Sequence, residues 1–194
     1  MGAGIAGHTA ALHLRRMLPK QHEVVVVAPN SKWNWIPSNI WVGVGQMSTK
    51  QVTFPLAPIY ARKGIEFHQA LAVELHGEGS PDLPRPHITV QYTDPARNGQ
   101  TARLEYDYLI NATGPKLNFG ATPGLGPDGN SWSVCTAGHA EQTAAGAGRG
   151  HHETQGGTAA DVPDRHGPRD VHLPGCGVRV HVQRRGPARQ GRRA

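Results

Sequence analysis

The sequence is short of cysteine and contains no long apolar run, and each shortage excludes a class of protein. Its 194 residues include two cysteines, Cys135 and Cys176, too few for a disulfide-stapled scaffold and too far apart for a zinc or thioredoxin-like pair. No apolar run approaches the roughly 20 residues that span a bilayer, and the first residues lack the pattern of a signal peptide. We therefore expect a cytoplasmic chain with reduced thiols.

Lysine is absent from residues 146–194, although most of the net positive charge of the chain lies there. The whole chain carries a net charge of +6, and this segment alone contains nine arginines and four acidic residues. The segment also has one leucine, Leu173, and no Ile, Phe, Met, Trp or Tyr, so apolar burial cannot offset its ordering entropy. The composition predicts a folded domain over residues 1–145 and a disordered basic tail over residues 146–194.

Two explanations of this tail remain open. A mixture of Arg, Gly, Pro and His without lysine is typical of a GC-rich gene translated out of frame, which would make the chain a truncated copy of a longer protein. The alternative is a genuine basic module that binds nucleic acid through sequence-independent charge. We favour the frameshift and expect no specific nucleic-acid partner. The tail histidines have irregular spacing and no neighbouring thiolates, so we expect no metal site.

Residues 1–145 show the alternation of helix and strand signals that is typical of an α/β domain. Residues 23–27 form a β-branched run of the kind found in parallel strands buried on both faces. Residues 87–92 and 102–106, joined by turn residues, predict a small antiparallel hairpin. Residues 108–112 predict one more buried strand, which ends at an Ala-Thr-Gly turn.

A glycine pattern opens the chain and is followed by a helix. Gly2, Gly4 and Gly7 fit the G-x-G-x-x-G motif, whose glycines permit a tight turn, close approach to a pyrophosphate and close helix packing. Residues 8–17 then follow helical periodicity, with Met17 on the predicted apolar face. A buried strand comes next, as the motif requires. The sequence therefore predicts a Rossmann-like dinucleotide-binding domain with the phosphates at the helix amino terminus.

Two parts of the usual motif are missing. No apolar strand precedes the glycine loop, because Met1 directly precedes Gly2, so we expect a Rossmann-like sheet that lacks its first strand. The acidic residue that binds the ribose hydroxyls roughly 20 residues beyond the loop is also missing. Asn30 stands near that position, and we take it as the candidate for the ribose contact.

Residues 33–45 carry the most specific pattern of the chain, Trp-Asn-Trp-Ile-Pro-Ser-Asn-Ile-Trp-Val-Gly-Val-Gly. This segment resembles the Pro-Ser-Asn-x-Trp-Val-Gly-Val-Gly stretch of sulfide:quinone oxidoreductases, which belong to the pyridine nucleotide-disulfide oxidoreductase superfamily. Residues 62–67, 106–117 and 133–141 resemble further segments of that family, in the same order along the chain. The chain is therefore similar to the amino-terminal, FAD-binding portion of such an enzyme.

The resemblance implies that FAD is the cofactor, that sulfide is the electron donor and that a quinone is the acceptor. It places Pro37, Ser38 and Asn39 beside the flavin. It also places Thr113 and Gly114, from the Ala-Thr-Gly turn, at the cofactor. Type II NADH dehydrogenases and flavocytochrome c sulfide dehydrogenases are the alternatives within the same class of enzyme.

Cys135 is the candidate catalytic residue, because it matches the first family cysteine in the sequence Ser-Val-Cys-Thr. The family chemistry needs a thiolate next to the flavin. The other two redox cysteines of the family have no counterpart here, so we expect this chain by itself to be inactive. The resemblance also implies peripheral contact with the inner membrane, in the full-length enzyme only.

Overall fold

A computed structural model describes residues 1–153 of the chain, with side chains as far as residue 146. The described residues divide into two compact units. We call the first the sheet unit, which consists of Met1–Asn30 and Ala61–Thr113. We call the second the helical unit, which consists of Ser31–Tyr60 and residues 114–153. The predicted tail from residue 154 onward, including Cys176, lies outside the described residues.

Helices and strands are interspersed along the described residues. In order they are α1 Ile5–Met17, β1 Val25–Ala28, β2 Lys32–Asn34, α2 Asn39–Gly43, α3 Thr49–Val52, β3 Thr53–Pro55, α4 Ala57–Lys63, β4 Glu66–His76, β5 His87–Tyr92, β6 Thr101–Glu105 and α5 Ala137–Glu153. Two short 3₁₀ turns lie at Ile36–Ser38 and Phe119–Ala121. No helix within residues 1–153 combines the length and the apolar character needed to cross a membrane.

The sheet unit contains a four-stranded mixed sheet in the order β1-β4-β5-β6. Strand β1 pairs with β4 in parallel, as the β-branched run predicts, and β5 and β6 form the predicted antiparallel hairpin. Strand β4 joins the two parts of the sheet. Its first residues pair with β1, and from Ala70 onward it pairs antiparallel with β5. The sequence did not predict the full eleven-residue length of β4.

The buried face of helix α1 differs from the apolar face that the sequence predicts. Gly7 and Ala11 are its buried residues, and their small size lets the helix backbone lie close to its neighbours. Met17 is 73% exposed because it is the last helical residue and lies beyond this contact. Val25 is also exposed, so the predicted burial of the first strand on both faces holds only for its later residues.

Residues 108–112 do not form a strand, which corrects the sequence prediction. Met1 lies beside them, since its amino group donates a hydrogen bond to Ile110 O (2.7 Å) and Ala112 N donates to Met1 O (2.9 Å). On the side of β1, Gly2 N donates to Val27 O (2.8 Å). Met1 and Gly2 alone make these backbone bonds on the two sides, and so short a ladder does not define a strand.

The core of the sheet unit contains Val27, Ala70, Ile88, Val90 and Tyr92. The hydroxyl of Tyr92 lies 3.0 Å from Nδ1 of the buried His68. Nε2 of this histidine donates to Glu66 Oε1 (2.7 Å), because a carboxylate can only accept; in the neutral imidazole Nδ1 then accepts from the tyrosine hydroxyl. This chain of hydrogen bonds satisfies a buried imidazole at the edge of the core.

The helical unit has its own core, formed by Val42, Val52 and Ala140. Helix α2 packs closely on the segment before α5, since a Cβ placed at Gly43 would lie 2.8 Å from Val134. Trp33 stacks on Phe54 across the pair β2–β3, with ring centroids 4.7 Å apart. Helix α5 continues to residue 153 and so crosses the predicted start of the tail at residue 146. The disorder predicted for residues 154–194 stays a prediction.

Truncating Ile88 should destabilise the sheet unit, because this side chain is only 4% exposed and lies in the core. We expect Ile88→Ala to lower the free energy of unfolding by about 2–5 kcal/mol, through lost burial and a residual cavity. Leu71→Ala on β4 is the matched control, since Leu71 is 48% exposed. Urea unfolding followed by circular dichroism measures both variants. Equal losses would contradict this description of the core.

The amino group of Met1 should make stability depend on pH. Burial lowers its pKa from the ordinary value of about 8, since desolvation disfavours the charged form. The unfolded chain therefore binds more protons, and the free energy of unfolding should rise as pH increases toward about 8. Acetylation of this amino group should remove that part of the slope while leaving an amide N–H to donate to Ile110. Urea titrations of both forms across this pH range test the expectation, and identical slopes would contradict it.

Candidate functional site

The glycine loop at the start of the chain packs directly on the Ala-Thr-Gly turn. Gly2 has φ +90°, a conformation that favours glycine, and a Cβ there would lie 2.2 Å from Ala112 O and 2.9 Å from Thr113 Cα. A Cβ at Gly7 would lie 2.0 Å from Gly2 O. Neither position can accept a side chain without moving backbone. The structure thus brings together two motifs that lie more than 100 residues apart in the sequence.

Helix α1 begins just after the loop, and no side chain caps its amino terminus. Gly4 is the N-cap residue, and the first turn contains no acidic residue. The first N–H to bond back along the helix is that of His8, to Gly4 O (2.9 Å). The N–H groups of residues 5–7 have no hydrogen-bond partner within the described part of the chain. Such a helix end presents free donors and a partial positive charge, which favour an anion.

Gly4 lies beside open space, unlike Gly2 and Gly7. A Cβ built at Gly4 would meet no heavy atom of the described residues within 4 Å. The packing of these residues therefore gives no reason for glycine at this position. The motif supplies one, because the second glycine is the residue that lets backbone approach a pyrophosphate. A Cβ at Gly4 would project into that space, so the residues present fit a phosphate-bearing cofactor.

The side chain of Asn111 holds the Ala-Thr-Gly turn. Its Oδ1 accepts hydrogen bonds from Thr113 N (3.2 Å) and from Thr113 Oγ1 (2.8 Å). Gly114 follows with φ +75°. The sequence prediction did not include Asn111. Asparagine side chains commonly form hydrogen bonds to the backbone two residues ahead, and this tendency could have identified it. The sequence prediction also did not include the backbone hydrogen bonds of Met1 to Ile110 and Ala112.

Asn30 follows β1 by two residues and is exposed. Its carboxamide has no hydrogen-bond partner within the described part of the chain. The backbone beside it is held in place, since Thr93 Oγ1 donates to Pro29 O (2.7 Å). The side chain is thus available at the end of a strand, where dinucleotide folds bind the ribose. Its predicted ribose contact stays a prediction.

Pro37, Ser38 and Asn39 belong to the helical unit. Pro37 is exposed and Ser38 is half-buried, whereas Asn39 is fully buried. The carboxamides of Asn39 and Asn34 bond to each other reciprocally, each donating to the other's Oδ1 at 2.9 Å. This pair ties the start of α2 to β2, so the side chain of Asn39 has a structural role. The predicted contact of these three residues with a flavin stays a prediction.

Cys135 also belongs to the helical unit and is an exposed free thiol. Its backbone N–H donates to Ser133 Oγ (3.2 Å), which holds the Ser-Val-Cys-Thr turn. No side chain within residues 1–146 pairs with it in a disulfide, and Cys176 lies outside the described residues. Within the same residues, no group of His, Cys, Asp and Glu side chains is arranged to hold a metal ion. The catalytic role of Cys135 stays a prediction.

Burial affects a titratable group in the first turn of α1. His8 is half-buried, and desolvation lowers the pKa of its imidazole. The neutral form is therefore favoured at this position. The attraction for an anion at this helix end comes from the backbone N–H groups and the helix dipole rather than from an imidazolium charge.

Comparison with known proteins supports the family resemblance. No protein-family model matches the chain. The chain is 32% identical over 143 residues to the sulfide-quinone reductase of Aquifex aeolicus, a match that covers 74% of this chain and 29% of that protein. The chain thus spans less than one third of the length of this curated relative.

Solved structures show the same relationship. The X-ray structure of sulfide:quinone oxidoreductase from Aquifex aeolicus superposes with a TM-score of 0.63 and 26% identity, covering 78% of this chain and 31% of that one. The structure of NDH2 from Plasmodium falciparum in complex with NADH superposes with a TM-score of 0.54 and 20% identity, covering 74% of this chain and 27% of that one. The second likeness is at the level of the fold.

These matches confirm the Rossmann-like α/β fold with a small antiparallel hairpin. Their partial coverage of the relatives fits the prediction that only an amino-terminal portion is represented. The resemblance predicted from the motifs is confirmed: the chain is similar to the amino-terminal portion of the sulfide:quinone oxidoreductases.

Proposed function

We propose that this chain supplies the FAD-binding part of an enzyme that oxidises sulfide and transfers the electrons to a quinone. The single observation that carries the proposal is the uncapped amino terminus of α1, which lies beside the open space at Gly4. The identity to a sulfide-quinone reductase supports sulfide and quinone as substrates. In the longer protein we propose a cytoplasmic enzyme that contacts the inner membrane peripherally.

Each candidate residue has a distinct task in this proposal. The N–H groups of residues 5–7 would bind the pyrophosphate of FAD, and glycine at position 4 would allow the approach. Asn30 would bind the ribose hydroxyls, while Thr113 and Gly114 would contact the cofactor through backbone. When bound, FAD supplies a redox centre that accepts electrons from the donor and passes them to the acceptor.

Cys135 is proposed as the thiol that reacts with the sulfur substrate. Its exposure makes Sγ accessible, and the thiolate is the nucleophilic form. One thiol cannot form the disulfide that sulfide attacks, and we take Cys176 as no counterpart of the family's other redox cysteines, so a second cysteine has to come from another segment of the enzyme. For this reason we propose that the chain by itself does not turn over sulfide.

A chimera tests the proposed role of Gly4 directly. In it, the portion of the Aquifex aeolicus sulfide-quinone reductase that matches this chain is replaced by the matching residues of this chain. We expect the chimera to retain FAD after gel filtration and its flavin to be reduced by sulfide. Gly4→Ala should weaken FAD binding at least about tenfold without lowering the unfolding midpoint, since the added Cβ meets no atom of the described residues but obstructs a phosphate.

Gly77→Ala is the matched control for this variant. A Cβ at Gly77 also meets nothing within 4 Å, and Gly77 does not have a positive φ. The visible spectrum of the purified proteins gives the flavin content, and titration of apoprotein with FAD gives the affinity. If Gly4→Ala retained FAD as tightly as Gly77→Ala, the proposed phosphate site would be wrong.

The isolated 194-residue chain should bind FAD weakly. It matches less than one third of the length of the curated relative, so more than two thirds of such an enzyme has no counterpart here. Purification in the presence of FAD, followed by a visible spectrum, checks this expectation. Flavin bound in stoichiometric amount after gel filtration would contradict it.

A further inference from the structure

The carboxyl-terminal parts of α1 and α4 line a pocket of about 410 Å³ in the sheet unit. We call it the basic pocket, and its lining residues are Leu12, His13, Arg15, Arg16, Arg62 and Lys63. None of these residues belongs to the glycine loop or to the Ala-Thr-Gly turn. The proposed function in sulfide oxidation therefore does not account for the pocket.

Among the described residues, the charged side chains that line the basic pocket are all positive. Its lining includes four of the eleven Lys and Arg residues of residues 1–145 and none of their ten Asp and Glu residues. Within the described part of the chain, Arg16, Arg62 and Lys63 form no ion pair. The other arginines with described side chains, Arg85, Arg97 and Arg103, each pair with a carboxylate.

Arg15 is held in place by backbone. Its guanidinium donates to three carbonyl oxygens that follow α1, those of Leu18 (2.9 Å), Pro19 (2.8 Å) and His22 (2.6 Å). These bonds tie Arg15 to the backbone of the segment after the helix but neutralise no charge. Arg15 thus contributes a fixed positive charge to the pocket, while Arg16, Arg62 and Lys63 have no hydrogen-bonded carboxylate among the residues with described side chains.

The helix ends reduce this positive charge only in part. The carboxyl end of a helix carries roughly half a negative charge, and two such ends meet the pocket. Three arginines and a lysine exceed that amount, so a positive excess remains and the cations repel one another. A bound anion would relieve this repulsion and accept hydrogen bonds from the N–H groups of these cations.

We propose that the basic pocket binds an anion that carries phosphate groups, either a soluble organic phosphate or the headgroup of an anionic lipid. Arginine guanidinium groups match phosphate oxygens with paired N–H donors, and lysine adds a compact positive charge. Leu12 provides an apolar wall. The pocket volume falls within the range of about 300–1,000 Å³ found for small-ligand sites and exceeds what a bare phosphate needs.

Calorimetric titration of the full chain with inorganic pyrophosphate at low salt tests this proposal. We expect the variant Arg62→Gln/Lys63→Gln to bind about tenfold more weakly, since it loses charge-assisted hydrogen bonds. The matched control is Lys32→Gln/Lys50→Gln, which removes the same charge at exposed residues of the helical unit. The arginine-rich residues 146–194 are present in every protein, so their contribution is common to all three.

A second measurement identifies the source of the phosphate. The same three proteins are sedimented with vesicles of phosphatidylcholine, with and without phosphatidic acid. Binding that requires phosphatidic acid and is lost in Arg62→Gln/Lys63→Gln supports a lipid headgroup. Pyrophosphate binding that is lost in this variant, without binding to either vesicle, supports a soluble phosphate.

Two results would overturn the proposal. One is equal weakening in the pocket variant and the control, which would assign binding to overall charge. The other is unchanged binding of both probes in the pocket variant, which would place any binding at the glycine loop or in residues 146–194. Circular dichroism verifies that each variant is folded, and the substituted side chains are exposed in all four cases.

Discussion

The backbone of Met1 and Gly2 connects the parts of the sheet unit on which the candidate site depends. Met1 bonds through its amino group and carbonyl to Ile110 and Ala112, and the amide of Gly2 bonds to Val27 on β1. These bonds fix the glycine loop against the Ala-Thr-Gly turn. The loop in turn sets where α1 begins, and hence where its free N–H groups lie. Without these hydrogen bonds, the backbone of the glycine loop would no longer be joined to both β1 and the segment at residues 110–112.

Close backbone contacts require glycine at two of the three positions of the glycine loop. Gly2 lies against Ala112 and Gly7 lies against Gly2, so a side chain at either position would collide with main-chain atoms. Gly4 has no such reason, and this difference separates a residue needed for packing from a residue suited to ligand binding. In the helical unit, Asn39 shows the opposite case, because its buried carboxamide is already paired with Asn34.

Charge is distributed unevenly over the sheet unit. Around the β5–β6 hairpin, Arg85, Arg97 and Arg103 each lie beside a carboxylate, whereas the basic pocket contains none. Exposed pairs of the first kind add little to stability, typically less than about 1 kcal/mol, but they leave no local excess charge. The basic pocket retains its excess, which makes it the strongest candidate for a second anion site in this unit.

The sequence by itself determined the elements that short patterns define: the glycine loop, the helix after it, the parallel strand β1 and the hairpin β5–β6. These depend on local periodicity and turn residues, which are visible within about ten positions. Tertiary structure alone decided the length of β4, the absence of a strand at residues 108–112, and the basic pocket. Each arises from residues distant in sequence, so strand pairing and side-chain proximity, rather than local propensity, set the outcome.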